Sequence, residues 1–309
     1  MQKEIVLITP HGFCAGVERA VELAEGMLRT CSLPVYCLKQ IVHNRQIIDD
    51  LTAKGMVFVQ DIREVPEGGT VLFSAHGIPP ATRERASAMN LRVVDATCPF
   101  VSKVHHEVRQ YADKGFTVLL IGHHSHDEII GVAGEAPDRV IVIASEQEAR
   151  TVTVTDPEKV AVLTQTTLSL DEVAQVMRIL QERYPALQTP PESDICYATR
   201  NRQQAVRLFA KQADAIIVLG AENSSNSNRL VEVARSEGCG ATLVSTIERL
   251  DTIPLEKVCR LGVTAGASTP EYFVQQAIAR LKTRGFSTVI EQVLIKENIH
   301  FPVPKEFRK

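Results

Sequence analysis

No stretch of the sequence approaches the ~20 consecutive apolar residues that a membrane span requires, which argues against an integral membrane protein. No charge of one sign predominates: 34 basic residues stand against 37 acidic ones, intermixed, for a net charge of −3. That balance points away from nucleic acid and from a membrane surface as partners. Seven cysteines are present, but none forms a CxxC pair, the local spacing through which structural zinc is usually held. The N-terminal MQKEIVLITPHGFC is too short and too polar to read as a signal peptide, so a cytoplasmic protein without structural disulfides is expected. What is there is a chain of 309 residues, 44% hydrophobic, without a low-complexity run. That suffices for a substantial core in about two domains or one large one.

Short runs rich in Val, Ile and Leu alternate with amphipathic stretches. EIVLI, MVFV, TVLLIG, VIVI, AVLT, AIIVLG and ATLV read as strands; residues 15–29, 101–113, 171–183, 201–212 and 270–283 read as helices, and a further strand is expected near 286–294. This alternation predicts α/β architecture with mainly parallel sheets. Reading forward from Cys14, from Cys98 and from Cys196 gives the same order of helix, strand, polar loop, helix, strand and acidic stretch, followed by a second polar strand end. The chain therefore divides into three pseudo-symmetric α/β units, 1–97 with the N-terminal strand, 98–195, and 196–309 with the C-terminal tail, expected to close into a trefoil-like ring. The tail 295–309 lies outside the repeat and is expected to fold back.

Each of the three cysteines falls where a strand ends and a helix begins, the place where ligand sites gather in open α/β sheets and where a thiolate is stabilised. Cys31, Cys37, Cys239 and Cys259 are out of phase and read as core. Three convergent thiolates suit an iron–sulfur cluster. On a four-iron cubane they leave one iron with an open position suited to Lewis-acid chemistry. A zinc or iron lyase or hydrolase acting on a phosphorylated compound remains an alternative from the spacing alone, as does a cluster-bearing sensor. The polar loops repeat in the same phase: His43, His126 and Ser224 fill one set of slots, His76, Thr166–Thr167 and Ser268 the other. These compact donors at helix N-termini fit a phosphate group. Ser225 and Asn226 extend the Ser224 run, which also reads as an ordinary N-cap and turn. Glu128 opens a helix two positions after His126; beside a buried anion its pKa would be raised, as a proton donor needs.

GFCAGVERA, VHN, SAHG, DATCP, TQTTLS, ICYATRNRQ, NSSNSNRL and VTAGAS follow one another over nearly the whole chain. Together they resemble the 4-hydroxy-3-methylbut-2-enyl diphosphate reductases, the LytB/IspH family. The resemblance implies the last step of the methylerythritol phosphate route to isoprenoids, a three-unit ring around a [4Fe-4S] cluster, and ferredoxin or flavodoxin as electron donor. Carried over by motif, Cys14, Cys98 and Cys196 match the cluster ligands. His43, His76, His126, Thr166, Ser224, Ser225, Asn226 and Ser268 match the substrate site, and Glu128 matches the proton donor. Two positions depart from the pattern: His11 stands where an arginine is common, and Glu222 where a basic residue often precedes NSSNSN.

Overall fold

The computed structural model describes residues 3–308. The chain opens with β1 (Lys3–Thr9) and α1 (Ala15–Thr30), then runs β2 (Val35–Leu38), α2 (Arg45–Ala53), β3 (Met56–Val59), β4 (Thr70–Phe73), α3 (Pro80–Ala88) and β5 (Arg92–Asp95). The middle third follows with α4 (Pro99–Asp113), β6 (Thr117–Ile121), α5 (Asp127–Ala133), β7 (Val140–Ile143), α6 (Glu146–Thr151), β8 (Val160–Thr164) and α7 (Leu170–Arg183). The last third holds α8 (Tyr197–Ala210), β9 (Ala215–Leu219), α9 (Ser225–Ser236), β10 (Gly240–Val244), β11 (Arg260–Ala265), α10 (Glu271–Thr283) and β12 (Phe286–Val293).

All the strand pairs are parallel, in three sheets of order β3-β2-β4-β5, β7-β6-β8 and β10-β9-β11-β1-β12. The three orders are one order. In the second sheet the fourth place is taken by Gln188, which bridges Ala161 in parallel and exchanges backbone bonds with Val160 and Val162. In the third it is taken by β1, hydrogen-bonded to β11 although it comes from the other end of the sequence. The expected α/β architecture with three units is therefore present, and the segment in the fourth place is always the one that leads to a cysteine.

Parallel strands covered on both faces read as continuous apolar runs, because neither face meets water. β9 shows why: Ile216 and Val218 pack with Ala205, Val206 and Leu230 of α8 and α9, while Ile217 and Leu219 pack with Phe273, Ala277 and Leu281 of α10. Helix bounds follow the expected periodicity except at α8, which begins at Tyr197 rather than 201. Its first turn, YATR, looks solvent-facing, yet Ala198 and Thr199 are buried. The 3-10 turn in the tail seats Phe307 against Gly26 of α1, where a Cβ would lie 2.3 Å from the Phe307 carbonyl oxygen.

Two compact units emerge from the packing. One contains the chain up to Glu18, His43–Ile47 and Tyr197–Phe301, and with it the five-stranded sheet. The other contains Arg19–Val42, Ile48–Cys196 and the chain from Pro302, with the other two sheets. Below, these are the first and the second compact unit. No helix among the described residues is long and apolar enough to cross a membrane.

Candidate active site

The three repeated cysteines share one local geometry. Each immediately precedes a helix, α1, α4 or α8, and each is half-buried and outside any disulfide. Each backbone N–H donates to the loop after the third strand of a sheet: Cys14 to Ala267 O (3.1 Å), Cys98 to Ala75 O (3.0 Å) and Cys196 to Thr166 O (3.1 Å). Each cysteine thus stands at the N-terminus of a helix, with its backbone fixed by the carbonyl of a strand-end loop. The donor set fits an iron–sulfur group. The remaining cysteines divide. Cys37 and Cys239 are buried, and burial pushes both thiols up. Cys31 and Cys259 are only half-buried, so the core reading does not hold for them; both lie at element ends, where the chain meets water.

A cation two turns or less into each of those helices holds the loop ahead of the next cysteine. Arg19 donates to Thr97 O (3.3 Å) and Asp95 O (3.4 Å), ahead of Cys98. Lys103 pairs with Asp194 (2.7 Å) and donates to Glu192 O (3.2 Å), ahead of Cys196. Arg202, 1% exposed, donates to Gly12 O (2.8 Å) and pairs with Glu297 (3.1 Å), ahead of Cys14. Sequence reasoning missed all three, because a basic residue early in a helix looks like surface charge. Their offset from the cysteines, five residues for Arg19 and Lys103 and six for Arg202, was the available signal.

In the first compact unit the polar residues are neutral donors and acceptors. Ser224 caps α9, its Oγ accepting the Ser227 N–H (3.3 Å) and the Ser227 hydroxyl (3.1 Å). Ser225 opens α9, half-buried. Asn226 accepts the Ala267 N–H (2.9 Å), so it holds the carbonyl-bearing residue on which Cys14 rests. The Ser268 hydroxyl donates to the His43 carbonyl (3.0 Å), and the His43 ring lies 3.5 Å from the Asn223 amide. His43, Ser224, Asn226 and Ser268 are therefore brought together. The two departures from the family pattern are also here. Glu222 is exposed and paired with Arg249 (2.8 Å). His11 meets Thr9 (3.1 Å) and Glu271 (3.5 Å); burial lowers its pKa, with the Glu271 carboxylate pulling the other way.

In the second compact unit the titratable groups gather. The rings of His76 and His126 meet edge to face at 5.7 Å. His126 caps α5, its Nδ1 accepting the Glu128 N–H (3.2 Å). Glu128 is 2% exposed. Its carboxylate accepts the Thr166 N–H (2.6 Å) and the Thr166 hydroxyl (3.0 Å). Burial raises its pKa to about 7 despite the lowering effect of the two Thr166 bonds, and the nearby charge of Asp194 adds to the rise. Gly77, next to His76, has φ +79°, and a Cβ there would lie 2.6 Å from the Nε2 of His105, so the turn that carries His76 requires glycine. Spacing gave this slot to Thr166–Thr167; the carbonyls holding the cysteines belong to Ala75, Thr166 and Ala267, so the residue in phase with His76 and Ser268 is Thr167. Gln165, fully buried, donates to Thr167 Oγ1 (2.9 Å) and accepts the His123 N–H (3.2 Å); sequence reasoning passed over it. His124 turns out to Glu148 (3.1 Å) at the surface and takes no part.

Thiols at helix N-termini and polar side chains at the carboxyl ends of parallel strands define an α/β enzyme of the ligand-at-strand-end class. The family model described as "LytB protein" matches residues 5–282. The chain is 48% identical over 308 residues to "4-hydroxy-3-methylbut-2-enyl diphosphate reductase" of Rhodococcus jostii (strain RHA1), covering 99% of this chain and 92% of that protein. It is equally 48% identical over 309 residues to the protein of that name from Acidothermus cellulolyticus, covering 100% and 91%. The solved structure of the E-1-hydroxy-2-methyl-but-2-enyl-4-diphosphate reductase from Plasmodium falciparum matches with TM-score 0.96 and 36% identity over 99% of this chain and 97% of that one. The chain belongs to the LytB family of reductases.

Proposed function

We propose that the chain reduces 4-hydroxy-3-methylbut-2-enyl diphosphate to isopentenyl diphosphate and dimethylallyl diphosphate, the last step of the methylerythritol phosphate pathway. In this reading Cys14, Cys98 and Cys196, one from each of the units 1–97, 98–195 and 196–309, hold a [4Fe-4S] cluster. When bound, that group supplies electrons and an open Lewis-acid position. Ferredoxin or flavodoxin delivers the electrons, in a reducing cytoplasm that keeps these cysteines out of disulfides.

The substrate takes up two electrons and two protons and loses its hydroxyl as water. His43, His76, His126, Ser224, Ser225, Asn226 and Ser268 hold the diphosphate through neutral donors and helix N-termini. Glu128 gives its proton to the departing hydroxyl, with the Thr166 hydroxyl beside it to orient or relay that proton. The second proton enters at either end of the allylic system, which accounts for two products. The burial of Glu128 keeps bulk water from its proton.

The observation that carries the reading is Glu128: a buried carboxyl with a pKa of about 7, bonded to Thr166, whose carbonyl holds the Cys196 N–H. A carboxyl poised there is protonated often enough to donate and acidic enough to do so. The test is an anaerobic assay with this substrate and a reduced viologen dye, alongside iron and sulfide analysis. Turnover with about four irons and matching acid-labile sulfide per chain supports the reading. Zinc without sulfide, or a cluster without turnover, overturns it.

A further inference from the structure

The polar loop after the first strand of each unit ends in the cap of a helix. His126 caps α5 and Ser224 caps α9. The residue in that place on α2 is Asn44, whose Oδ1 accepts the Ile47 N–H (3.3 Å). Chain spacing had pointed to His43, but the first loop is one residue longer. Lys39, Gly122 and Gly220 each donate to the last carbonyl of the neighbouring strand, at Val59, Ile143 and Val244, and from that common point the cap of α2 comes one residue later.

Asn44 has no exposed surface, and its Nδ2 is buried with no acceptor among the described residues. The cap fixes the amide orientation, since Oδ1 is the atom that Ile47 requires. A buried NH2 without an acceptor is costly, and folds keep such groups chiefly where water or a ligand completes them. The surroundings in the first compact unit favour an anion. Asn44 stands at the N-terminus of α2, a helix of 9 residues, whose first N–H groups are positive. It adjoins His43, whose carbonyl is held by the Ser268 hydroxyl and whose ring neighbours Asn223.

We infer that Asn44 is a further substrate-binding residue, donating an Nδ2–H to a diphosphate oxygen while its Oδ1 holds the start of α2. The inference rests on the diphosphate reading above. Two substitutions separate the ligand bond from the cap, since serine and aspartate are both good caps but neither has the amide donor. In the anaerobically reconstituted enzyme, Asn44→Ser weakens inorganic diphosphate, measured by calorimetry, by about ten- to a hundredfold, the range for loss of a donor to a charged group. Asn44→Asp weakens it at least as much, because an oxygen then faces the anion. KM for the substrate rises with kcat little changed, and the ligand-free melting temperature of Asn44→Ser stays near that of the parent. Ser224→Ala and His43→Ala run in parallel. If they weaken diphosphate and Asn44→Ser does not, whatever its melting temperature, the role of Asn44 is only to cap and the inference falls while the diphosphate reading stands. If none of the variants weakens diphosphate, the diphosphate reading itself falls.

Discussion

The two compact units differ in the chemistry of the polar side chains they collect. The first gathers serines and asparagines: Asn44, Ser224, Asn226 and Ser268 are all buried, and the Ser268 hydroxyl holds the His43 carbonyl. The second gathers groups that exchange protons: Glu128 with a pKa of about 7, the His76–His126 ring pair, and His105 bonded to Glu135 at 2.6 Å. Neutral amides and hydroxyls bring to an anion no charge of their own that changes with pH. Burial is the largest cause of the raised Glu128 pKa, with the Asp194 charge adding to it and the two Thr166 bonds opposing it. On the proposed reading, the first unit supplies His43, Ser224, Ser225, Asn226 and Ser268 to the diphosphate, the second supplies His76, His126 and the proton donor Glu128, and both supply thiols.

The most severe way to break this comparison is to remove a thiol from each side. Cys98→Ser in the second unit and Cys14→Ser in the first should both abolish the visible absorption of the anaerobically purified protein; a normal spectrum in either variant takes that residue out of the ligand set. Next in size is Glu128→Gln, which should lower turnover by about 10²- to 10⁴-fold while substrate affinity is kept. In the parent, turnover should decline as pH rises through about 7, since only the protonated carboxyl donates. The linked stability effect has the same direction. Between the ordinary carboxylate value and about 7 the folded state keeps a proton that the unfolded chain has lost, so stability falls with rising pH across that window. Denaturant titrations of Glu128→Gln should show that slope flattened; an unchanged slope removes Glu128 as its source.

Ser224→Ala should have a moderate effect, about tenfold weaker binding of inorganic diphosphate with saturated turnover nearly intact. That loss should be the same at pH 6 and pH 8, and a strongly pH-dependent loss would erase the contrast between the units. The smallest effect is expected of Glu222→Gln. Its pair with Arg249 is exposed and contributes little to stability. Taking a negative charge from beside Asn223 should tighten diphosphate by roughly two- to fivefold at low salt, fading as ionic strength rises. No change at low salt means that Arg249 already neutralises it.

Residue patterning determined much of this. Apolar runs covered on both faces and amphipathic helices were legible because burial imposes a period on the sequence, and the phase of Cys14, Cys98 and Cys196 exposed the threefold order of the sheets. The order of residues along the chain also brought out His43, His76, His126, Ser224 and Ser268 as a recurring set. What patterning could not decide is which of two adjacent polar residues faces inward. Asn44 and His43 differ by one loop residue, as do Thr166 and Thr167, and only the backbone bonds of Lys39 and Cys196 settle the register. Nor could it distinguish Arg19, Lys103 and Arg202 from surface cations, because their partners are backbone oxygens and carboxylates far along the chain. The rise of the Glu128 pKa has the same origin: a carboxyl near a helix start is ordinary in sequence, and it becomes a poised acid only where the tertiary structure removes water from around it.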